Sequence, residues 1–373
     1  MPSTAETGAW VQFKNKVTTG QCLEWTPLGA KWQPQKPFNN PSQRWILLGL
    51  DNDQYFIMGP GGALLTVRDD RGDVPVGEYN AGWRGLTLAD PYQGSDLTAA
   101  RRQIFLVRSS GSGFYTIASA DGRVVLAPVD GALVRMVPPN SPAVANGCSQ
   151  WSLEAVGKYS SLSDAQLLPI TTAVNQPPEM YDYARPNPDR TPEVLLGLTT
   201  LPFPLVDDPR YPGHAGQSSR VPLYALLRYG LYKVGYYYDS SGASSRTETQ
   251  EVKVGLTSTN AQEIERTTGI SVTSEAGFAF KGLSASVSTT YSQQLRVLTS
   301  TSTTQSSEKT LTVQRTFEQG YRSAIAIWYR TDRYVLKRLE ATGSFSAAST
   351  VLEWETTLQN DTVERSYAPN RPR

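Results

Sequence analysis

The sequence is poor in net charge, cysteine, histidine and long apolar runs. Thirty-five Lys and Arg against 34 Asp and Glu leave a formal charge of +1. No basic field exists to hold a polyanion, so no nucleic acid is expected as a partner, and polybasic attraction to anionic lipid has no support. The one histidine, His214, lies in a Pro/Gly/Ser-rich stretch. It cannot build a multi-histidine metal site and the two cysteines make no cluster, so neither metal nor cofactor is expected. Ser–His or Cys–His catalysis would have to run through that single residue, and a surface histidine is preferred. No stretch approaches the roughly 20 apolar residues of a membrane helix. The N-terminus, Met-Pro-Ser-Thr-Ala-Glu-Thr-Gly, has neither the basic start nor the apolar core of a secretory signal. The expectation is synthesis in the cytoplasm, with release by lysis, a crystal or inclusion body, or another exporter if the protein acts outside the cell. Cys22 and Cys148 allow either a disulfide or two reduced thiols, and the thiols are preferred.

What is present is apolar mass and repetition. With 373 residues, 39% of them hydrophobic, the chain exceeds the size of a single core, and two domains are expected. Three segments share a glycine followed by a short apolar strand: Gly20-Gln21-Cys22-Leu23-Glu24, Gly62-Ala63-Leu64-Leu65-Thr66 and Gly122-Arg123-Val124-Val125-Leu126. Each copy closes on an aromatic: Gln43-Arg44-Trp45, Gln103-Ile104-Phe105 and Ser149-Gln150-Trp151. Short strands punctuated by Gly, Pro, Asn and Asp predict an all-β fold, and three copies predict a closed threefold arrangement.

These residues resemble the repeats of ricin-B-type lectins, which imply an N-terminal β-trefoil over residues 8–156 with Trp45, Phe105 and Trp151 in its core. The resemblance implies a sugar site from an acid, an aromatic platform and amides near the closing motif. Only the first copy holds the full set: Glu24, Trp32, Gln33, Asn39, Asn40 and Gln43. Thr66 in the second copy and Leu126 in the third stand at the acid position, and those sites are expected to be dead.

Residues 157–178 lose the repeat and read as a linker. Residues 179–366 read as a second domain of extended strands. Within it Ile270, Val272, Ala276, Phe278 and Phe280 alternate with mostly polar residues. Phe280-Lys281-Gly282 reads as a turn, and Leu283, Ala285, Val287 and Tyr291 alternate with serines and threonines beyond it. That is a period-2 hairpin with one apolar face, whose arms have the length of membrane-spanning strands. A lone hairpin cannot enter lipid with unpaired edges, so insertion demands an oligomer that closes a barrel. An ordinary half-buried hairpin gives the same alternation.

Leu201-Pro202-Phe203-Pro204-Leu205-Val206-Asp207-Asp208-Pro209, Gln217-Ser218-Ser219-Arg220-Val221-Pro222-Leu223-Tyr224-Ala225-Leu226 and the run from Thr267 to Leu295 resemble the Toxin_10 insecticidal family, also called binary-toxin-like. The resemblance implies an elongated aerolysin-like β-pore-forming domain and toxicity to insect gut epithelium. It also implies activation by gut proteases, with Lys158 and Arg365 as candidate trypsin sites. The implied partners are a host cell-surface glycan or glycoprotein receptor, the target membrane, and either a second copy (a homodimer, then a pore oligomer) or a binary toxin partner. A lectin with a passive β-rich domain is the competing reading. An enzyme is not expected: in the acidic pair Asp207-Asp208, neighbours on a strand point to opposite faces, which suits no glycosidase pair.

Overall fold

The computed structural model describes residues 9–17, 20–27, 29–37, 40–50, 53–68, 84–90, 97–123, 125–129, 133–158, 164–165, 167–256, 258–268, 270–272, 278–280, 293–296, 308–340, 345 and 349–370. The chain forms two compact units. One comprises Met1–Gln166, Leu201–Tyr224 and Arg338–Ser349, the other Leu167–Thr200, Ala225–Lys337 and Thr350–Arg373.

In the first unit, strands β1 (Ala9–Asn15), β4 (Trp45–Gly49), β5 (Gln54–Met58), β8 (Ile104–Gly111), β9 (Phe114–Ser119) and β12 (Gln150–Lys158) pair antiparallel in that order. Strand β12 pairs back with β1, so the ring closes and no barrel strand keeps an open edge. Three hairpins complete the repeat: β2 (Gln21–Thr26) with β3 (Gly29–Pro34), β6 (Leu64–Val67) with β7 (Leu86–Ala89), and β10 (Val125–Val129) with β11 (Leu133–Val137). Two barrel strands and one hairpin per copy make the expected β-trefoil.

The closing aromatics meet in the interior. Trp45, Phe105 and Trp151 are each 0% exposed in one shared core. Phe13 meets Trp45 and Trp151 edge-on, with ring centroids 6.1 and 6.5 Å apart. Trp45 Nε1 donates to the Leu23 carbonyl at 3.0 Å, and Trp151 Nε1 to the Leu126 carbonyl at 2.9 Å. Leu126 is therefore the counterpart of Leu23, and the acid position of the third copy is Ala127, one residue beyond the sequence alignment. The slip has a local cause: Gly20 immediately precedes β2, whereas a tight turn from Ser119 to Gly122 leaves two residues between its glycine and β10. Both cysteines are free thiols.

The second unit is built on a four-stranded sheet in the order β13 (Val194–Pro202), β14 (Leu223–Ser240), β19 (Ser323–Leu339) and β20 (Thr350–Tyr367). One continuous strand, β14, carries Tyr224, Tyr229, Tyr232 and the run Tyr236-Tyr237-Tyr238. Beside it, β15 (Arg246–Val254) and β18 (Lys309–Phe317) pair residue for residue as a ribbon whose exposure alternates from the second residue of each strand onward. Thr247, Thr249, Thr310, Thr312 and Thr316 are exposed. On the other side, Val252 and Val254 join Tyr236, Ile327 and Tyr329 in a core, with Leu311 and Val313 packed against it. A helix over Ser258–Thr268 follows the ribbon's first strand. It buries Ala261, Ile264, Thr267 and Thr268, whose spacing of three and four places them on one side of the helix.

Candidate functional site

The first-copy cluster forms, but its groups satisfy one another. Glu24 is 5% exposed. Its Oε1 accepts from Lys36 Nζ at 2.5 Å and from Ser42 Oγ at 3.0 Å, and its Oε2 accepts from Gln43 Nε2 at 2.9 Å. Burial alone would raise the Glu24 pKa, but the hydrogen bonds from Lys36, Gln43 and Ser42 outweigh it and hold the carboxyl below its ordinary value. Gln43 also donates to the Pro34 carbonyl at 2.8 Å and accepts from the Lys36 amide at 2.7 Å. Asn40 caps the short turn at Pro41–Gln43: its Oδ1 accepts from the Ser42 amide at 3.0 Å and from Ser42 Oγ at 2.6 Å. Gln33 lies half-buried on β3, opposite Cys22. Asn39 lies outside the described residues.

Trp32 differs most from its expected role. It is 6% exposed, and its ring meets that of Trp151 edge-on at 5.3 Å, inside the trefoil core. The register explains this. Trp32 opposes Leu23, as Leu88 opposes Leu65 and Met136 opposes Leu126, so it occupies the inward position of its hairpin. Such a ring offers a sugar no open face. The polar side of the same geometry repeats in the second copy, where Gln103 Nε2 donates to the Asp90 carbonyl at 2.8 Å and to Thr66 Oγ1 at 3.2 Å.

The amphipathic segment is shorter in pairing than its sequence pattern. Strand β16 (Ile270–Val272) pairs antiparallel with β17 (Phe278–Phe280), with Ile270 opposite Phe280 and Val272 opposite Phe278. The chain thus reverses within the segment expected to form one continuous arm. The intervening Thr-Ser-Glu-Ala-Gly is polar and ends in glycine, which is turn chemistry. Ala276, Leu283, Ala285, Val287 and Tyr291 lie outside the described residues. Beyond them, Gln293–Arg296 is anchored to the four-stranded sheet. Leu295 is 0% exposed, and its carbonyl accepts from Arg228 Nη1 at 3.3 Å. A Cβ on Gly197 would stand 2.6 Å from the Leu295 carbonyl oxygen, so glycine is what admits this backbone.

Two buried ionic clamps were not legible in the sequence. In the first unit Asp208, 0% exposed, accepts both arms of Arg338 at 2.7 Å, the Tyr224 hydroxyl at 3.0 Å and the Arg210 amide at 2.9 Å. Burial would raise the Asp208 pKa, but the Arg338 guanidinium, the Arg210 amide and Tyr224 bring it below its ordinary value. Burial, reinforced by the Asp208 charge, pushes the Tyr224 hydroxyl strongly upward. Asp207 is exposed, so the acidic pair does split across two faces, with its buried member committed to structure. In the second unit Asp332 is held by Arg228 at 2.5 Å and Arg330 at 2.8 Å. Among the described residues no group of three His, Cys, Asp or Glu is placed to hold a metal ion, and no helix is long and apolar enough to cross a membrane.

Residues 194–366 match the Toxin_10 family model, described as Insecticidal Crystal Toxin, P42. The crystal structure of Cry35Ab1 superposes with a TM-score of 0.60 at 17% identity, covering 97% of this chain and 91% of that chain. The two share a fold, as the Toxin_10 resemblance implied. The lectin of Polyporus squamosus, solved with a human-type influenza-binding epitope, matches with a TM-score of 0.32 at 11% identity, covering 44% of this chain and 54% of that one. The designed threefold-symmetric protein ThreeFoil matches with a TM-score of 0.29 at 16% identity, covering 39% of this chain and 97% of that one. No curated protein matches the chain.

Proposed function

We propose, from the crystal-toxin match as premise, that the protein is an insecticidal β-pore-forming toxin of two working parts. The trefoil recognises a glycan or glycoprotein on the gut-cell surface. The second domain, over residues 179–366 beyond a linker at 157–178, oligomerises after protease activation and contributes an amphipathic hairpin drawn from residues 270–291 to a closed barrel. The observation that carries the reading is the match of residues 194–366 to the insecticidal crystal toxin model. The paired ribbon of β15 and β18 supports it, because these strands bracket the hairpin segment in sequence and set an exposed face bearing Thr247, Thr249, Thr310, Thr312 and Thr316 against a face that packs Val252, Val254, Leu311 and Val313. The barrel assembles from copies of this chain or with a binary toxin partner. The protein is made in the cytoplasm, in crystals or inclusions, and acts outside the cell at the host membrane, without enzymatic chemistry.

Glu24 with its Lys36, Ser42 and Gln43 partners is the centre of the proposed trefoil site. A ligand there exchanges its hydroxyls for Lys36, whose side chain is 41% exposed. The test is exposure of trypsin-treated protein to susceptible gut cells and to liposomes, followed by electrophoresis in mild detergent. Detergent-stable oligomers with loss of cell viability are expected. A treated protein that stays monomeric and harmless contradicts the proposal and leaves a lectin with a passive β-rich domain.

A further inference from the structure

The segment from Gln176 to Pro192 lines a cavity of about 540 Å³ in the second unit that opens to solvent. That volume falls in the range of about 300–1,000 Å³ typical of small-ligand sites. We infer that this cavity is a binding site for a neutral, hydroxyl-rich ligand, a glycan, separate from the trefoil.

Three observations converge. The first is Tyr181, which lines the cavity and stands 80% exposed. Every tyrosine in the hydrophobic core of this unit is at least half-buried. An amphipathic ring kept in water at the mouth of a cavity is suited to stack on the C–H face of a sugar while its hydroxyl bonds at the rim. The second is the polar lining. Glu179, one oxygen of which pairs with Arg365, and Asp182, whose Oδ1 takes the Ala184 amide, are acceptor groups, Arg185 and Arg190 are donors, and Gln176 and Asn187 are both. Two carboxylates cancel two guanidiniums. A polyanion would meet the carboxylates and a polycation the guanidiniums, whereas hydroxyls that donate and accept use both kinds of partner.

The third observation is that the segment, although neither helix nor strand, is tied down along its length. Asn175 Nδ2 donates to the Pro192 carbonyl at 2.9 Å. The Thr191 amide donates to the Tyr232 carbonyl, and the Val234 amide to the Asp189 carbonyl, both at 2.9 Å. Arg365 pairs with Glu179 at 3.1 Å and donates to the Pro177 carbonyl at 3.3 Å. The Tyr183 ring packs on Tyr367 at 5.0 Å and lies beneath the Arg322 guanidinium at 4.2 Å. Four lining prolines, Pro178, Pro186, Pro188 and Pro192, fix φ and lower the entropy cost of holding the site open.

The full chain carrying Glu24→Ala, which removes the carboxylate at the centre of the proposed trefoil site, is applied to an array of neutral and anionic glycans, and the strongest neutral hit is titrated by calorimetry against that background and the same background with each Tyr181 variant. The expected result is neutral-glycan binding that weakens about tenfold or more in Tyr181→Ala and is retained in Tyr181→Phe, which keeps the ring. Thermal midpoints of both variants should equal that of the Glu24→Ala background, since the side chain is exposed. Neutral-glycan binding unchanged by Tyr181→Ala, binding of anionic glycans only, or no glycan binding would each overturn the inference. None of these outcomes touches membrane activity, so failure here is distinguishable from failure of the toxin reading.

Discussion

At the scale of single residues, burial separates roles that sequence pattern confounds. Trp32 satisfies the pattern of a sugar platform, yet it fills the position that Leu88 and Met136 fill in the other copies. Alternation along a strand shows which residues share a face, but not which face turns inward. Trp32→Ala is therefore expected to act on stability. It should cost about 3–5 kcal/mol in urea unfolding, as large core truncations do; a loss within 0.5 kcal/mol, of the order typical of surface sites, would place the ring outside the core. Asp208 is the opposite case, one member of an acidic pair in the sequence that proves to be a buried clamp. Its partner Arg338 lies 130 positions away, a separation no local pattern reaches. Asp208→Asn should destabilise the protein by about 3–5 kcal/mol, because it leaves the Arg338 charge buried without its counterion. Since the folded pKa lies below the unfolded value, the clamp's contribution is present above about pH 4 and is lost as pH falls through the folded pKa. Stability measured from pH 7 down to pH 3 should decline less steeply in the variant than in the wild type; equal slopes would contradict this assignment.

At the scale of elements, strands were more legible than their pairing. Alternation located the segment around Ile270, but pairing depends on where the chain turns. The turn expected at Lys281 is preceded by a reversal between Val272 and Phe278. The helix over Ser258–Thr268 went unread because its buried residues are Ala261, Ile264, Thr267 and Thr268, three of them small or polar. Such a face gives a weak 3.6-residue signal amid a Ser/Thr-rich tract that reads as strand. Element boundaries also sort the candidate protease sites. Arg365 lies inside β20, opposite Ala326, and is ion-paired to Glu179. Lys158 is the last residue of β12. A protease needs locally unfolded backbone, so limited trypsin digestion should cut at Lys158 well before Arg365. Mass spectrometry of the early fragments checks this, and first cleavage at Arg365 would show that β20 frays.

At the scale of the whole molecule, the trefoil was legible because repetition supplies three readings of one unit. An error in one copy, such as the single-residue slip at Leu126, leaves the architecture intact. The second unit has no such redundancy, and its long strands could be located but not ordered from sequence. The account's central claim is that the segment from Ile270 leaves its soluble pairing to enter a membrane barrel. Ile270 and Phe280 are direct cross-strand partners, so Ile270→Cys with Phe280→Cys allows a reducible lock on that pairing. The most direct test is dye release from liposomes and gut brush-border vesicles by the trypsin-treated double variant, oxidised and reduced. The account predicts no release while the lock is oxidised and wild-type release once it is reduced. Equal release in both states, or none in either when the wild type releases dye, would contradict it.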